Sequence, residues 1–152
     1  MNYSYQKKEA LFAALAGVLY VISGTLHIVE GLGADTGFAA LLFVQADILG
    51  GFCLAVIGMV FLYGLLEMRR GIKAGMSFAY VGILLSIIFM AVYLLIMGGN
   101  LLDSFIVPGD YEGWNIMESL RPGIYLGLLS LMAAFSWKGR FSSNGISVRE
   151  EV

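Results

Sequence analysis

The stretch FVQADILGG, residues 43–51, sets a glutamine and an aspartate inside a run that otherwise reads like hydrocarbon, and follows them with two glycines. Uncharged runs lie on either side of Asp47, at 36–45 and 48–66. Joined across that carboxylate, they make one apolar segment over about 37–66. Further uncharged runs occupy 10–29, 74–102 and 122–137. A transmembrane helix needs about 20 mostly apolar residues, with a range of roughly 17 to 25. The pattern therefore predicts an all-α, integral membrane four-helix bundle, with spans at about 10–31, 37–66, 74–102 and 120–138. The last of these is slightly short.

Composition leads to the same class. Of the 152 residues, 59% are hydrophobic and 13% charged, against about 45 to 50% and 25% in soluble domains. A water-soluble globule could not cover itself with so few charges. Neither a basic tail nor an Arg-aromatic surface points to nucleic acid. Lys7 and Lys8 precede the first apolar run, but no convincing A-x-A site follows it, so a retained helix rather than a cleaved leader is expected. The single cysteine, Cys53, reads as a small packed residue of the second span.

Lys and Arg collect on the cytoplasmic side of short membrane loops. With both termini inside, Lys7, Lys8, Arg69, Arg70, Lys73, Lys138, Arg140 and Arg149 all fall inside, and only Arg121 falls outside. The outer side then carries Glu30, Asp35, Asp103, Asp110, Glu112 and Glu118. The expected organisation is a cytoplasmic N-terminus at 1–9, a transmembrane domain at 10–138 and a mobile cytoplasmic tail at 139–152, in the cell membrane. The segment VPGDYEGW, with its turn residues and Trp114, predicts an ordered interfacial cap. The chain resembles many small four-span proteins of bacteria and archaea in general layout alone, and no inverted repeat supports a transporter of that kind.

Helices in lipid associate through small residues and polar contacts rather than hydrophobic expulsion. Ala10, Gly17, Gly24 and Gly31 recur every seven residues on the first span; Gly51, Ala55 and Gly58 share a face of the second. Gly82, Ser86, Tyr93 and Asn100 stripe the third, and Gly123, Gly127, Ser130 and Ala134 the fourth. Packing of the bundle accounts for most of them. Met90 and Met97, at the same spacing, read as core filling rather than a copper path.

Stepping up each helix at 1.5 Å per residue puts His27 at roughly 26 Å, Asp47 at roughly 29 Å, Tyr93 at roughly 27 Å and Arg121 at roughly 24 Å from the cytoplasmic ends. All four reach one level, near the outer boundary of the hydrocarbon, where a charge costs less than at the centre. The candidate site is therefore an outer-leaflet polar cluster of His27, Glu30, Asp47, Tyr93 and Arg121, with Asn100 and Asp103 above it. His27 and Glu30 sit one turn apart on a shared face. Gln45, about 200° around the helix from Asp47, belongs to another face. Arg121 precedes Pro122 at the start of the fourth helix and needs a carboxylate partner if it is buried. An Asp47–Arg121 pair that only fixes helix register, and a histidine that only satisfies the core, are the plain alternatives.

His27, Glu30 and Asp47 offer one imidazole and two carboxylates, enough in principle for Zn²⁺ or Fe²⁺. The signal is weak, since H-x-x-E pairs arise often by chance. One histidine cannot supply both axial ligands of a bis-histidine haem within the chain. No nucleophile-base arrangement or phosphate-binding glycine loop marks an enzyme; the G-x-G at Gly31 and Gly33 reads as a helix exit, with Gly31 ending the first helix. The expected function is an accessory or ligand-binding subunit of a larger membrane assembly, or a homo-oligomer, in contact with lipid and holding an outward-facing polar pocket. A proton, cation or small-solute carrier using Asp47 and His27, and a redox subunit binding quinone or haem beside His27 and Tyr93, are the other readings.

Overall fold

The computed structural model describes residues 3–34, 37, 44, 46–72, 74–106 and 120–147, those at 3–6 and 138–147 through their backbone alone. Four helices follow one another: α1 (Tyr3–Gly31), α2 (Ile48–Arg69), α3 (Ala74–Ile106) and α4 (Pro122–Ser147). Lys7–Gly31 of α1, all of α2 and all of α3 are long and apolar enough to cross a membrane. The apolar part of α4, Pro122–Trp137, is shorter, about 24 Å against a hydrocarbon core of about 30 Å. Leu95, Phe105, Met132 and Phe135 are each at least 70% exposed on the outer surface of the bundle. Such a surface suits acyl chains and not water.

The helices run up and down. One end of the bundle holds the first turn of α1 and the last of α4; at the other, the far end, α1 stops and α2 and α4 begin. Two turns of similar design close α1 and α2. Gly33 and Gly71 take left-handed φ values of 88° and 74°, where a side chain would be strained. Around Gly33 the amides of Gly33 and Ala34 bond to the carbonyls of Glu30 and Val29; around Gly71, those of Gly71 and Ile72 bond to Met68 and Glu67. Each is a Schellman cap, which satisfies the last carbonyls of its helix. The cap residue after α1 is thus Gly33, while Gly31 serves a contact: a Cβ there would run into Ile48.

Small residues set the distance between helices, as their stripes predict. An ideal Cβ on Gly24 would stand 2.6 Å from the carbonyl oxygen of Gly51 and the amide of Ala55; on Gly58 it would stand 2.8 Å from the carbonyl of Gly17. A Cβ on Gly64 would stand 3.0 Å from the carbonyl oxygen of Gly75 and the amide of Ala79 on α3. Leu54, Phe61 and Ile83 fill the centre and are fully buried. Packing of this density supplies van der Waals contact that lipid tails could not match. α1 lies chiefly against α2, and meets α4 through the edge-on rings of Phe12 and Trp137, 5.1 Å apart.

Four expectations are revised. The second helix does not run through Asp47: that residue has φ −149° and ψ 91°, and helix starts at Ile48. An aspartate side chain competes for backbone amides and so favours the cap over the interior. Helix α3 continues four residues past 102, to Ile106. The polar stretch 139–147 continues α4 as helix, because a helix already nucleated extends at the expense of one residue's freedom per added hydrogen bond. Cys53 is exposed. Two residues beyond Gly51, it sits about 200° around α2 from the glycine face, and a thiol is apolar enough to face lipid. The proposed interfacial cap with Trp114, and Gln45, lie outside the described residues.

Candidate functional site

Asp47 performs two tasks with one carboxylate. Its Oδ1 accepts the Gly50 amide at 2.8 Å, closing the first turn of α2, and its Oδ2 accepts a bond from Arg121 Nη1 at 2.9 Å. The start of α2 presents free amides and the positive end of its dipole, and the start of α4 brings Arg121 to the same point. A single negative charge answers both. Asp47 and Arg121 side chains are 27% and 23% exposed, so the pair sits at the rim of the bundle rather than in its centre.

Tyr93 of α3 forms the floor of this rim. The Arg121 guanidinium lies over its ring, 5.1 Å from the centroid, an attraction of about 0.5 to 2 kcal/mol depending on desolvation. Its hydroxyl comes close to Gly50, where a Cβ would collide with both that hydroxyl and Asp47 Oδ2. Glycine at 123 on α4 makes room for the ring itself, since a Cβ there would strike Tyr93. Phe89 lies edge-on to the ring, with centroids 4.8 Å apart.

His27 completes the group from α1. It is fully buried, its Cβ packs on Gly51, and it lies within electrostatic reach of Asp47 and Arg121. Its Nδ1 stands 2.8 Å from the Ser23 carbonyl. A carbonyl can only accept, so Nδ1 carries the proton and, in the neutral ring, Nε2 is a bare acceptor. That Nε2 has no hydrogen-bond partner among the described residues, and the Tyr93 hydroxyl, beside the Arg121 guanidinium, makes no well-formed bond.

The structure thus brings together His27, Asp47, Tyr93 and Arg121 out of the residues expected there. Glu30 is half-buried, one turn beyond His27. Asn100 is half-buried and Asp103 exposed; seven residues past Tyr93, Asn100 stands about 10 Å further along α3 and does not join the group. Among the described residues no three His, Cys, Asp or Glu side chains gather closely enough to hold a metal ion, so His27, Glu30 and Asp47 do not form the three-ligand set considered above.

Sequence reasoning missed the burial of two carboxylates. Glu9 and Glu67, 3% and 7% exposed, lie just outside the uncharged runs at 10–29 and 48–66. Glu67 pairs with Arg70 at 3.3 Å. Tyr20, fully enclosed in mid-helix, directs its hydroxyl toward Ser86 and Ser130, without a well-formed bond to either. Tyr20 shares the His27 face of α1 at seven-residue spacing, as Ser86 shares that of Tyr93 on α3.

A family model described as MJ0565 integral membrane domain matches residues 5–139, which spans all four helices up to the end of the apolar part of α4. No curated protein and no solved structure matches the chain.

Proposed function

The chain belongs to the MJ0565 integral membrane domain family, and from that premise we propose that it is a small ligand-binding subunit of a membrane assembly, with its polar site in the outer leaflet of the cell membrane. The observation that carries this reading is the pair of atoms without a well-formed hydrogen bond, His27 Nε2 and Tyr93 Oη, on side chains 0% and 3% exposed. An unpaired polar group of that kind costs about 1 to 3 kcal/mol. A bound molecule that donates to Nε2 and accepts from the phenol offsets this cost. Asp47 and Arg121 neutralise each other and full burial favours the uncharged imidazole, so the ligand best matched to the site is neutral and carries both a hydroxyl and an acceptor oxygen.

The basic residues support the orientation. Lys7, Lys8, Arg69 and Arg70 lie at the end of the bundle opposite Arg121, a distribution that favours cytoplasmic termini by the positive-inside rule. The short apolar part of α4 favours a subunit with partners.

Native mass spectrometry of the protein released from lipid nanodiscs tests the proposal. The wild-type protein is expected to carry a small-molecule adduct or a partner subunit with one, and His27→Leu and Tyr93→Phe to lose the adduct. An adduct-free wild-type spectrum, or equal occupancy in all three proteins, overturns it. Cation or proton flux into liposomes that falls in Asp47→Asn would move the reading to a carrier, and a visible absorption band from purified protein to a redox subunit.

A further inference from the structure

The end of the bundle that holds the termini sorts its charges by sign. In sequence Lys7 and Lys8 stand next to Glu9, and Arg69 and Arg70 closely follow Glu67. The fold separates them: Glu9 and Glu67 are buried, whereas Lys7, Lys8, Arg69 and Arg70 are exposed. Arg70 reaches back to Glu67 at 3.3 Å and still leaves 67% of its side chain exposed. Among the described residues no carboxylate pairs with Lys7 or Arg69. The surface at this end is therefore cationic, although each segment that builds it carries an acid.

Helix geometry brings the cations together. Gly17 meets Gly58 and Gly24 meets Gly51, an antiparallel register that sets Lys7 opposite Met68 and so beside Arg69. Lys7 lies about 80° around α1 from Gly17, against about 180° for Lys8. Lys7 therefore borders the α1–α2 seam, and Lys8 turns away from it. On α2, Arg69 lies about 20° from Gly58 and Arg70 about 120°. Apolar stripes run on from these cations. Leu11 and Val18 fall within about 40° of Lys7 on α1, and Leu66 and Met59 within about 40° of Arg70 on α2; all four are between 48% and 61% exposed.

We infer that this seam binds an anionic phospholipid of the leaflet on the side of the termini, its phosphate held by Lys7, Arg69 and Arg70 and its acyl chains laid on the two stripes. Charge decides the class. A surface with exposed cations and withdrawn acids attracts an anionic headgroup, with a gain in affinity of about fivefold per basic residue; a zwitterionic headgroup brings no net charge to collect that gain. The stripes decide the source. They begin one turn beyond the cations and run into the membrane as acyl chains run from a phosphate, so a soluble phosphate would meet only part of the site. The site lies about 30 Å from the Asp47–Arg121 rim and does not depend on a ligand there.

Native mass spectrometry of the full chain in micelles of an uncharged detergent tests the inference, with phosphatidylglycerol or phosphatidylcholine of the same acyl chains added. Phosphatidylglycerol is expected to bind about tenfold more tightly or better. Lys7→Gln and Arg69→Gln should each weaken it about fivefold, and Lys8→Gln, an equal loss of charge outside the seam, by less than about twofold. Arg70 is kept, because its removal would strand the buried Glu67. Equal binding of the two lipids, equal losses in all three variants, or glycerol phosphate binding as tightly as the lipid overturns the inference; the last would make the surface a site for a soluble anion.

Discussion

Helices α1 and α2 meet backbone to backbone, whereas α3 and α4 meet through side chains. On the first seam, Gly17, Gly24, Gly51 and Gly58 each bring an opposing main-chain atom within reach of a Cβ. On the second, Gly123 and Gly127 clear space for the Tyr93 ring and for Met90. The same small residue serves a different end in each place: on the first seam it sets the fold, and on the second it seats a phenol beside the ion pair. A stripe of glycines in a membrane sequence therefore does not by itself separate scaffold from site; what lies opposite does.

Gly24→Val offers the harshest way to break this contrast. Its Cβ would fall 2.6 Å from two backbone atoms of α2, neither of which can swing aside as a side chain could. A loss of about 3 kcal/mol or more is expected, at the upper end of overpacking costs, seen as failure to reach the folded state or a collapse of resistance to denaturing detergent. A mild effect would mean that the two helices are not held at backbone contact.

Next in size is Asp47, where cap and ion pair can be separated. Asp47→Ala removes both and should cost about 2 kcal/mol, the cap supplying about 1 and the pair the rest after allowance for its partial exposure. Asp47→Asn keeps an oxygen for the Gly50 amide and should cost about half as much. Equal losses in thermal unfolding would show that Arg121 contributes everything and the cap nothing.

Gly123→Ala tests the second seam. The new methyl would press on the Tyr93 ring, with a stability cost of about 1 to 2 kcal/mol but a larger effect on the site, since the ring carries both the stacked guanidinium and a hydroxyl without a well-formed bond. The adduct in native mass spectra should disappear while the fold persists. Retention of the adduct at wild-type occupancy would remove Tyr93 from the ligand's contacts.

How much of this was legible depends on which force positioned each residue. The four spans and their small-residue faces follow from hydropathy and spacing, and the common level of His27, Asp47, Tyr93 and Arg121 follows from a helix rise that does not vary. Asp47 was read as a tolerated polar residue inside a long span, although an aspartate directly before an apolar run, followed by an amide three residues on, is also a helix start. Hydropathy averaging hides that signal, because a cap is a one-residue event. The burial of Glu9 and Glu67 was not legible at all, since it depends on which neighbours the ends of α1 and α2 acquire.

The smallest expected effect has the opposite sign. Nothing described lies within 4 Å of a Cβ built on Gly98 or Gly99 of α3, so neither glycine is there to let a helix approach. Alanine at Gly99 should stabilise the isolated protein by about 0.5 to 1 kcal/mol, through lower backbone entropy in the unfolded chain and better helix propensity. This sharpens the comparison by adding a third kind of glycine, opposite no described atom. If Gly99→Ala instead weakens association in native mass spectra while raising the unfolding temperature, the missing opposite surface belongs to another subunit. If it destabilises the monomer, that surface lies within the chain itself, and the distinction between scaffold and site glycines extends one more turn along α3.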